Sequence, residues 1–407
     1  MFKHYIAVTL PLFLSILVVF LVPIMEAATL IHFAPEFLIY IGLAVPILTL
    51  LTLGTRLYAQ LDANAADAHS PEQLGDAMQR SLVVTIVLLA VSTVWVFVAI
   101  DWTGKPSEWP WLICSLLVGG AFQTPRYFTQ SISARGAHGM PTLLASLVMV
   151  AISAIICLCV WLAGPPARSA VAIVMIGSAL AAIAGAVLTM RLFAREIDWR
   201  RALSLRMPLF RADILRTHAF SMVEVFFYNL MCFAFFTALS KQSASEATTF
   251  QFISTLALVA LSWRITYTIL FQTAMSEPRP NTTRLWSFAA PMLANSFAGI
   301  ALAGAAAIFL WPEGSYALAI LTVALINLFG TFNMLALAGL RAVGRMGRMG
   351  AISAAVNSLS VVAFLLLGER LGVAGIFCVF VADEIVRAVC STSVLHSERT
   401  RQPVLAV

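Results

Sequence analysis

Residues 81–100 read SLVVTIVLLAVSTVWVFVAI, an apolar run with no charged side chain. As a helix, twenty residues rise about 30 Å, the thickness of a bilayer's hydrocarbon core. The run is unbroken rather than alternating apolar and polar, so it fits a barrel strand poorly. In lipid a lone segment must satisfy its own backbone hydrogen bonds, and only a helix does that. One transmembrane helix is therefore expected here.

Working outward from it, the same signal recurs along the chain. On the amino-terminal side, spans are expected near 6–31 and 37–59. After 81–100 come 110–132, 141–163 and 169–193, then 217–239, 248–274, 284–311, 315–338, 350–367 and 372–395. Composition agrees: 61% of the residues are hydrophobic and 11% are charged, against about a quarter charged in soluble domains. So apolar a chain has too little polar surface to cover a water-facing globule. The fold expected is all-α and integral to the membrane, with about twelve transmembrane helices.

The connection near 192–216 is rich in arginine and divides the spans six and six. The expected organisation is an amino-terminal six-helix bundle (1–195), a basic cytoplasmic linker (196–216) and a carboxy-terminal six-helix bundle (217–407). The linker reads as a solvated basic loop at anionic headgroups, or as an amphipathic stretch along the surface. The halves echo each other weakly, ARGAHGM at 134–140 against LRAVGRMG at 340–347. An even number of spans per half gives both halves the same orientation, as in parallel repeats about a pseudo-two-fold axis along the membrane normal.

Net charge is +6. Lys105, Arg168, Lys241 and Arg370 lie on the connections after spans 3, 5, 7 and 11. The other side carries most of the arginines, Arg56, Arg80, Arg135, Arg191, Arg201, Arg341 and Arg401 among them. The positive-inside rule makes that side, and both termini, cytoplasmic. Arginine far outnumbers lysine, as in a GC-rich bacterial genome, so the bacterial inner membrane is the expected location. Scattered over short loops, the basic charge does not read as a nucleic-acid surface.

No phosphate loop, HExxH motif or metal-spaced Cys/His cluster is present, so neither ATP hydrolysis nor metalloenzyme chemistry is expected. The six cysteines lie inside spans as packing thiols, and no disulfide framework is visible. The first span is too long for a cleaved signal peptide and lacks its cleavage site.

Charges within spans are costly, about 2.5–3.5 kcal/mol each on insertion scales, and call for a reason. Glu26 lies in span 1 and Glu224 in span 7, corresponding positions of the two halves, without a basic residue within one turn. Each reads as a neutral interface carboxyl or as a carboxylate that binds a coupling cation. Asp383 and Arg387 in span 12 have the i,i+4 spacing of a structural ion pair. Arg126 and Arg264 call for a carboxylate across the bundle or for snorkelling. Among the neutral polar residues, Gln251, Asn333 and Asn229 are the candidates for a substrate cavity. Pro11 and Pro23 interrupt span 1 as helix-bend positions.

Together these features resemble the multidrug and toxic compound extrusion (MATE) family, within a flippase superfamily. Pro11 followed by Glu26 is similar to that family's first helix, and AQLDANAADAHSPEQLGDAMQRSL at 59–82 to its loop after helix 2. VEVFFYNLMCFAFFTAL and ASEATTFQFISTLAL resemble helices 7 and 8, with Glu224 and Gln251 on family positions. FNMLALAGLRAVGRMGRMG through GERLGVAGIFCVFVADEIVRAV resembles helices 10 to 12. Glu26 stands where the family has an aspartate, and the helix 10 carboxylate of some members falls near Gly330. The connection after span 8, TAMSEPRPNTTRLW, lacks the family's glutamine–glycine pattern.

The resemblance implies a secondary active exporter of a small organic compound, working by alternating access. Proton- or sodium-coupled antiport at Glu26 and Glu224 would drive it. No cofactor beyond the coupling ion is expected, and the partners are a small-molecule substrate and membrane lipids, with the chain acting as a monomer. The alternative is a flippase for a lipid-linked saccharide or other amphiphile, which needs arginines facing a cavity.

Overall fold

A computed structural model describes residues 2–66, 70–103, 109–136, 139–204, 206, 208–275, 285–311, 316–342 and 344–401. Every regular element among them is a helix. The chain divides into two compact units, Met1–His218 and Ala219–Val407.

The first unit holds α1 (Phe2–Phe33), α2 (Phe37–Ala65), α3 (Pro71–Thr103), α4 (Trp109–Ala121), α5 (Thr124–Gly136), α6 (Gly139–Ala163), α7 (Ala167–Leu192) and the short α8 (Trp199–Ala202). Helix α9 (Ala212–Gln242) carries the unit boundary. The second unit continues with α10 (Ala244–Leu256), α11 (Leu258–Met275), α12 (Leu285–Leu310), α13 (Tyr316–Ala342) and α14 (Gly347–Arg401). Among the described residues nine helices are long and apolar enough to cross a membrane, and the bent pair α10–α11 makes a tenth span.

The remaining two spans follow from breaks. In α14, Gly372 has φ 63° and ψ 173°, outside the helical range and open to glycine at little cost. That residue separates spans 11 and 12. Expected span 4 is built from α4 and α5, interrupted at Phe122–Gln123. Pro125 lies just beyond, where its missing N–H suits a new helix start. Expected span 8 bends by 48° at Ala257, beside Thr255, whose hydroxyl donates back to the Gln251 carbonyl at 2.9 Å. Such back-bonding bends helices. The architecture is thus the all-α, twelve-helix fold expected from the sequence.

In the first unit α1 packs on α6, α6 on α7, α4 on α7, and α2 on α3 and α5. In the second, α11, α12 and α13 pack mutually, and α13 packs on α14. Small residues permit the closest approaches. A Cβ on Gly119 of α4 would lie 3.2 Å from the Ala179 Cα of α7, and one on Gly299 of α12 only 3.0 Å from that of Ala260 in α11. Small-residue contacts of this kind let helices pack where lipid supplies no hydrophobic drive. On α3, Ile86, Val87, Val91, Val94 and Val98 form an exposed apolar stripe, as a lipid-facing surface requires.

The start of the arginine-rich connection is neither a free loop nor a separate surface element. Asp198 caps α8 by accepting from the Arg200 and Arg201 amides, and its own amide donates to the Pro71 carbonyl at 3.0 Å. Gln79 of α3 donates to the carbonyls of Ser204 (2.8 Å) and Arg206 (2.6 Å). Arg201 pairs with Glu72 at 2.7 Å. The basic segment is therefore tied to the beginning of α3. The tail of the connection after span 8, residues 276–284, and Lys105 lie outside the described residues.

Candidate functional site

Three sets of polar groups sit inside the apolar helices. The first surrounds Glu26 on α1, a 7% exposed carboxylate. Pro23, three residues earlier, leaves the Val19 carbonyl without its helical partner, and Pro11 also lies inside the helix. Ser153 of α6 donates to Glu26 Oε1 at 3.5 Å, and the Ser178 hydroxyl of α7 lies near the carboxyl. One turn on, Thr29 accepts from the Trp161 indole at 3.2 Å, and Trp161 stacks on His32 with centroids 4.5 Å apart. No arginine or lysine forms an ion pair with Glu26 among the described residues. A carboxyl held by hydroxyls can take up a proton, or offer oxygens to a small hard cation, without displacing another charge.

The second set lies where α2 packs on α5. The Arg56 and Arg126 guanidinium carbons stand 5.9 Å and 5.2 Å from the centroid of the Tyr127 ring. Arg56 Nη2 and Arg126 Nε and Nη1 are buried without a hydrogen-bond partner, as is Gln130 Nε2 one turn along α5. Sequence alone assigned Arg56 to a basic connection and missed this pairing. Its distance from the start of the connection was the available signal. Nearby, Arg80 donates from Nε (2.7 Å) and Nη2 (2.9 Å) to both oxygens of Asp62, a bidentate pair of the stronger kind.

The third set, in the second unit, is much denser. Arg387 donates from Nη2 to Glu224 Oε1 at 2.5 Å and from Nη1 to Glu384 Oε1 at 3.1 Å. Arg341 donates to Glu224 Oε2 at 3.4 Å. The Arg387 guanidinium also lies 4.1 Å from the Tyr228 ring centroid. Asp383 accepts from Ser360 at 2.7 Å. Arg264 stands beside Glu384 and Tyr228 electrostatically. A Cβ on Gly330 would collide with the Arg264 guanidinium. The position where some MATE members carry a helix 10 carboxylate is thus the space an arginine occupies here.

Two expectations need correction. The ion pair expected between Asp383 and Arg387 is not the one formed. The guanidinium fork reaches instead to Glu224 on α9 and Glu384 on its own helix, and Asp383 turns to Ser360. Nor is Glu224 an isolated carboxylate, since both its oxygens are taken by arginines more than a hundred positions away in sequence, |i−j| being 163 and 117. Asn229 donates to the Val225 carbonyl at 2.7 Å and Gln251 to the Thr255 hydroxyl at 3.3 Å, each within its own helix. Asn333 is buried with Oδ1 unpartnered. No group of His, Cys, Asp and Glu among the described residues is arranged to hold a metal ion.

Known structures share this architecture. A MOP superfamily transporter from Pyrococcus furiosus, described as having a binding pocket of reversed polarity and a different function, superposes with a TM-score of 0.67 at 14% identity. The match covers 98% of this chain and 96% of that one. An outward-facing multidrug resistance MATE family transporter gives 0.65 at 14% identity, with the same coverage of each chain. The MATE multidrug transporter DinF-BH gives 0.64 at 13% identity over 98% and 96% of the two chains. No protein-family model and no curated protein matches the chain. The chain has the fold of these solved structures over essentially its whole length, and among the described residues nine or ten of its spans are long and apolar enough to cross a membrane.

Proposed function

We propose that this protein is a secondary active transporter that exports a small organic compound by alternating access, with proton or sodium entry at Glu26 as the driving step. The observation that carries the reading is the buried Glu26 carboxyl, which has a serine hydroxyl partner and, among the described residues, no cationic one. Glu224, the other acidic candidate, is engaged by Arg341 and Arg387, so a coupling cation there would have to displace a guanidinium. Coupling is therefore assigned to Glu26, and Glu224 to holding α9, α13 and α14 together. A ligand shifts a conformational equilibrium only by its differential affinity for the two states. Cation and substrate that each favour a different charge state around Glu26 would drive one another's release.

The test is transport in everted vesicles under an imposed proton gradient, with and without sodium, using a panel of fluorescent organic compounds of both charges. Wild type is expected to move at least one compound, and Glu26→Gln to abolish the gradient-driven part while remaining folded. Undiminished transport by Glu26→Gln would end the assignment. The flippase alternative draws on a separate observation, the unpaired Arg56 and Arg126, which suit an anionic headgroup. Localisation in a bacterial inner membrane with cytoplasmic termini belongs to the same proposal and follows from the charge asymmetry of the connections.

A further inference from the structure

We propose that Glu26 exchanges a proton with the end of the first unit where α1 and α6 stop, along the seam between these two helices, and that Trp161 is the gate that closes the seam. The inference rests on the reading of Glu26 as the coupling carboxyl and deepens it, naming the ion as a proton and the side chains on its route.

Helices α1 and α6 run in the same direction, and their polar side chains meet rung by rung toward Phe33 and Ala163, where the helices end. At the innermost rung Ser153 donates to Glu26 Oε1 at 3.5 Å. At the next, the Cys157 thiol lies near Thr29, Ser153 and Glu26. At the last, the Trp161 indole donates to the Thr29 hydroxyl at 3.2 Å, and its ring lies on His32. Glu26, Thr29 and Phe33 on α1, like Ser153, Cys157 and Trp161 on α6, have the spacing that keeps side chains on one helix face. Burial follows the same order. Glu26, Ser153, Thr29 and Cys157 are buried, whereas Trp161 is 48% exposed and His32 is exposed. From α7 the Ser178 hydroxyl lies near the carboxyl, and no basic residue forms an ion pair with it among the described residues.

Donor and acceptor chemistry assigns the roles. Hydroxyls and thiols both donate and accept, so Ser153, Cys157 and Thr29 can hand a proton on in step with entering water. An indole N–H only donates, so Trp161 covers the route and does not extend it. In this structure the Thr29 hydroxyl donates to the Met25 carbonyl at 2.9 Å and accepts from Trp161, which closes the seam at Thr29. Swinging the indole aside frees that oxygen for water. His32, stacked at 20°, and Phe33, edge-on with centroids 5.6 Å apart, hold the indole in its closed position. A thiol and an indole N–H are poor company for sodium, which as a hard cation takes oxygen ligands. A proton drawn from water at this end turns the Glu26 carboxylate into the neutral carboxyl, and the same path returns it. On the orientation proposed above this end is the outer face, the side from which a proton must enter to drive export.

Proton exchange at Glu26 tests the gate without transport. The full chain in phosphatidylcholine nanodiscs is transferred to heavy water, and infrared difference spectra follow deuteration of the Glu26 carboxyl, whose band is the one missing from Glu26→Gln. Trp161→Ala is expected to speed exchange about fivefold, and Trp161→Phe, which keeps a ring and loses the N–H, about twofold, as the loss of one hydrogen bond on a closed gate implies. Adding Thr29→Val to Trp161→Ala should slow exchange about twofold, since an apolar side chain replaces a relaying hydroxyl. Leu162→Ala, at the neighbouring 80% exposed position, should change nothing. An unaltered rate in the Trp161 variants, equal acceleration by Leu162→Ala, no slowing by Thr29→Val, or the absence of a Glu26 band overturns the proposal. Should Trp161→Ala fail to fold, Trp161→Phe carries the test by itself. Undiminished transport by Glu26→Gln would end the coupling reading and leave the gate standing, whereas an unaltered exchange rate would end the gate and leave coupling at Glu26 to another route.

Discussion

The two units treat buried charge in opposite ways. In the second, three arginines (Arg264, Arg341, Arg387) and three acidic residues (Glu224, Asp383, Glu384) are gathered into one neighbourhood, and the formal charges cancel. In the first, Asp62 and Arg80 cancel each other, but among the described residues Glu26 has no basic partner and Arg56 and Arg126 stand together without an acid. A buried pair need do nothing but hold helices in register. A buried charge without a partner is expensive and persists only if something else, a proton, an ion or a substrate, completes it for part of the cycle. Chemistry of transport is therefore sought in the first unit and rigidity in the second.

That comparison can be broken at its strong end. Arg387→Leu strands Glu384 in an apolar interior and leaves Glu224 with Arg341 alone, and breaking a buried pair costs about 3–5 kcal/mol. Unfolding in mixed dodecyl sulfate micelles should show a loss of that order, and an unchanged midpoint would mean the cluster is not structural. The next largest effect separates pairing from location. Arg80→Leu strands Asp62 within the first unit and should cost about 2–3 kcal/mol, less than Arg387→Leu because Arg80 is more exposed and has one acidic partner. Equal tolerance of Arg80→Leu and Arg126→Leu would show that pairing does not govern stability there.

Arg126→Leu should go the other way. Replacing an uncompensated buried charge with an apolar side chain of similar bulk is expected to leave stability unchanged or raise it by about 1 kcal/mol. Gain of stability with loss of function is the usual signature of a functional site. A loss above about 2 kcal/mol in the same micelles would reveal a structural partner for Arg126 instead. Smallest of all is the expected change for Glu26→Gln, within about 0.5 kcal/mol, because the amide is isosteric and Ser153 can still hydrogen-bond it. The sharpest form of the comparison is then a pair of carboxamides. Glu224→Gln should lower the midpoint by clearly more than Glu26→Gln, and Glu26→Gln alone should keep the fold while losing gradient-driven transport.

Much of the fold was legible in the sequence because a span is a local property. Residues 81–100 and their counterparts announce a helix through twenty or so neighbouring side chains, and no distant residue is needed to interpret them. The separation of spans 11 and 12 was legible for the same reason, since it lies between two apolar runs. The breaks in spans 4 and 8 were less so, since Phe122–Gln123 and Ala257 interrupt hydrogen-bond ladders without an apolar run ending there. Docking of Asp198 and Gln79 was hidden because it joins α3 to a segment more than a hundred residues away, and composition describes only the basic charge.

What the sequence by itself determined is that the chain crosses a membrane about twelve times as helices, and that each charge within a span needs a compensating contact. It could not say which contact. The i,i+4 spacing of Asp383 and Arg387 suggested the nearest answer, but guanidinium and carboxylate meet wherever helix packing brings them together. Only the tertiary structure decided that Arg387 reaches Glu224 across 163 positions of sequence, and that Glu26 has no basic partner, and Arg56 and Arg126 no acidic one, among the described residues. Hydrophobic length is read along one helix, whereas electrostatic compensation falls off with distance in space, and helices distant in sequence are neighbours in the bundle.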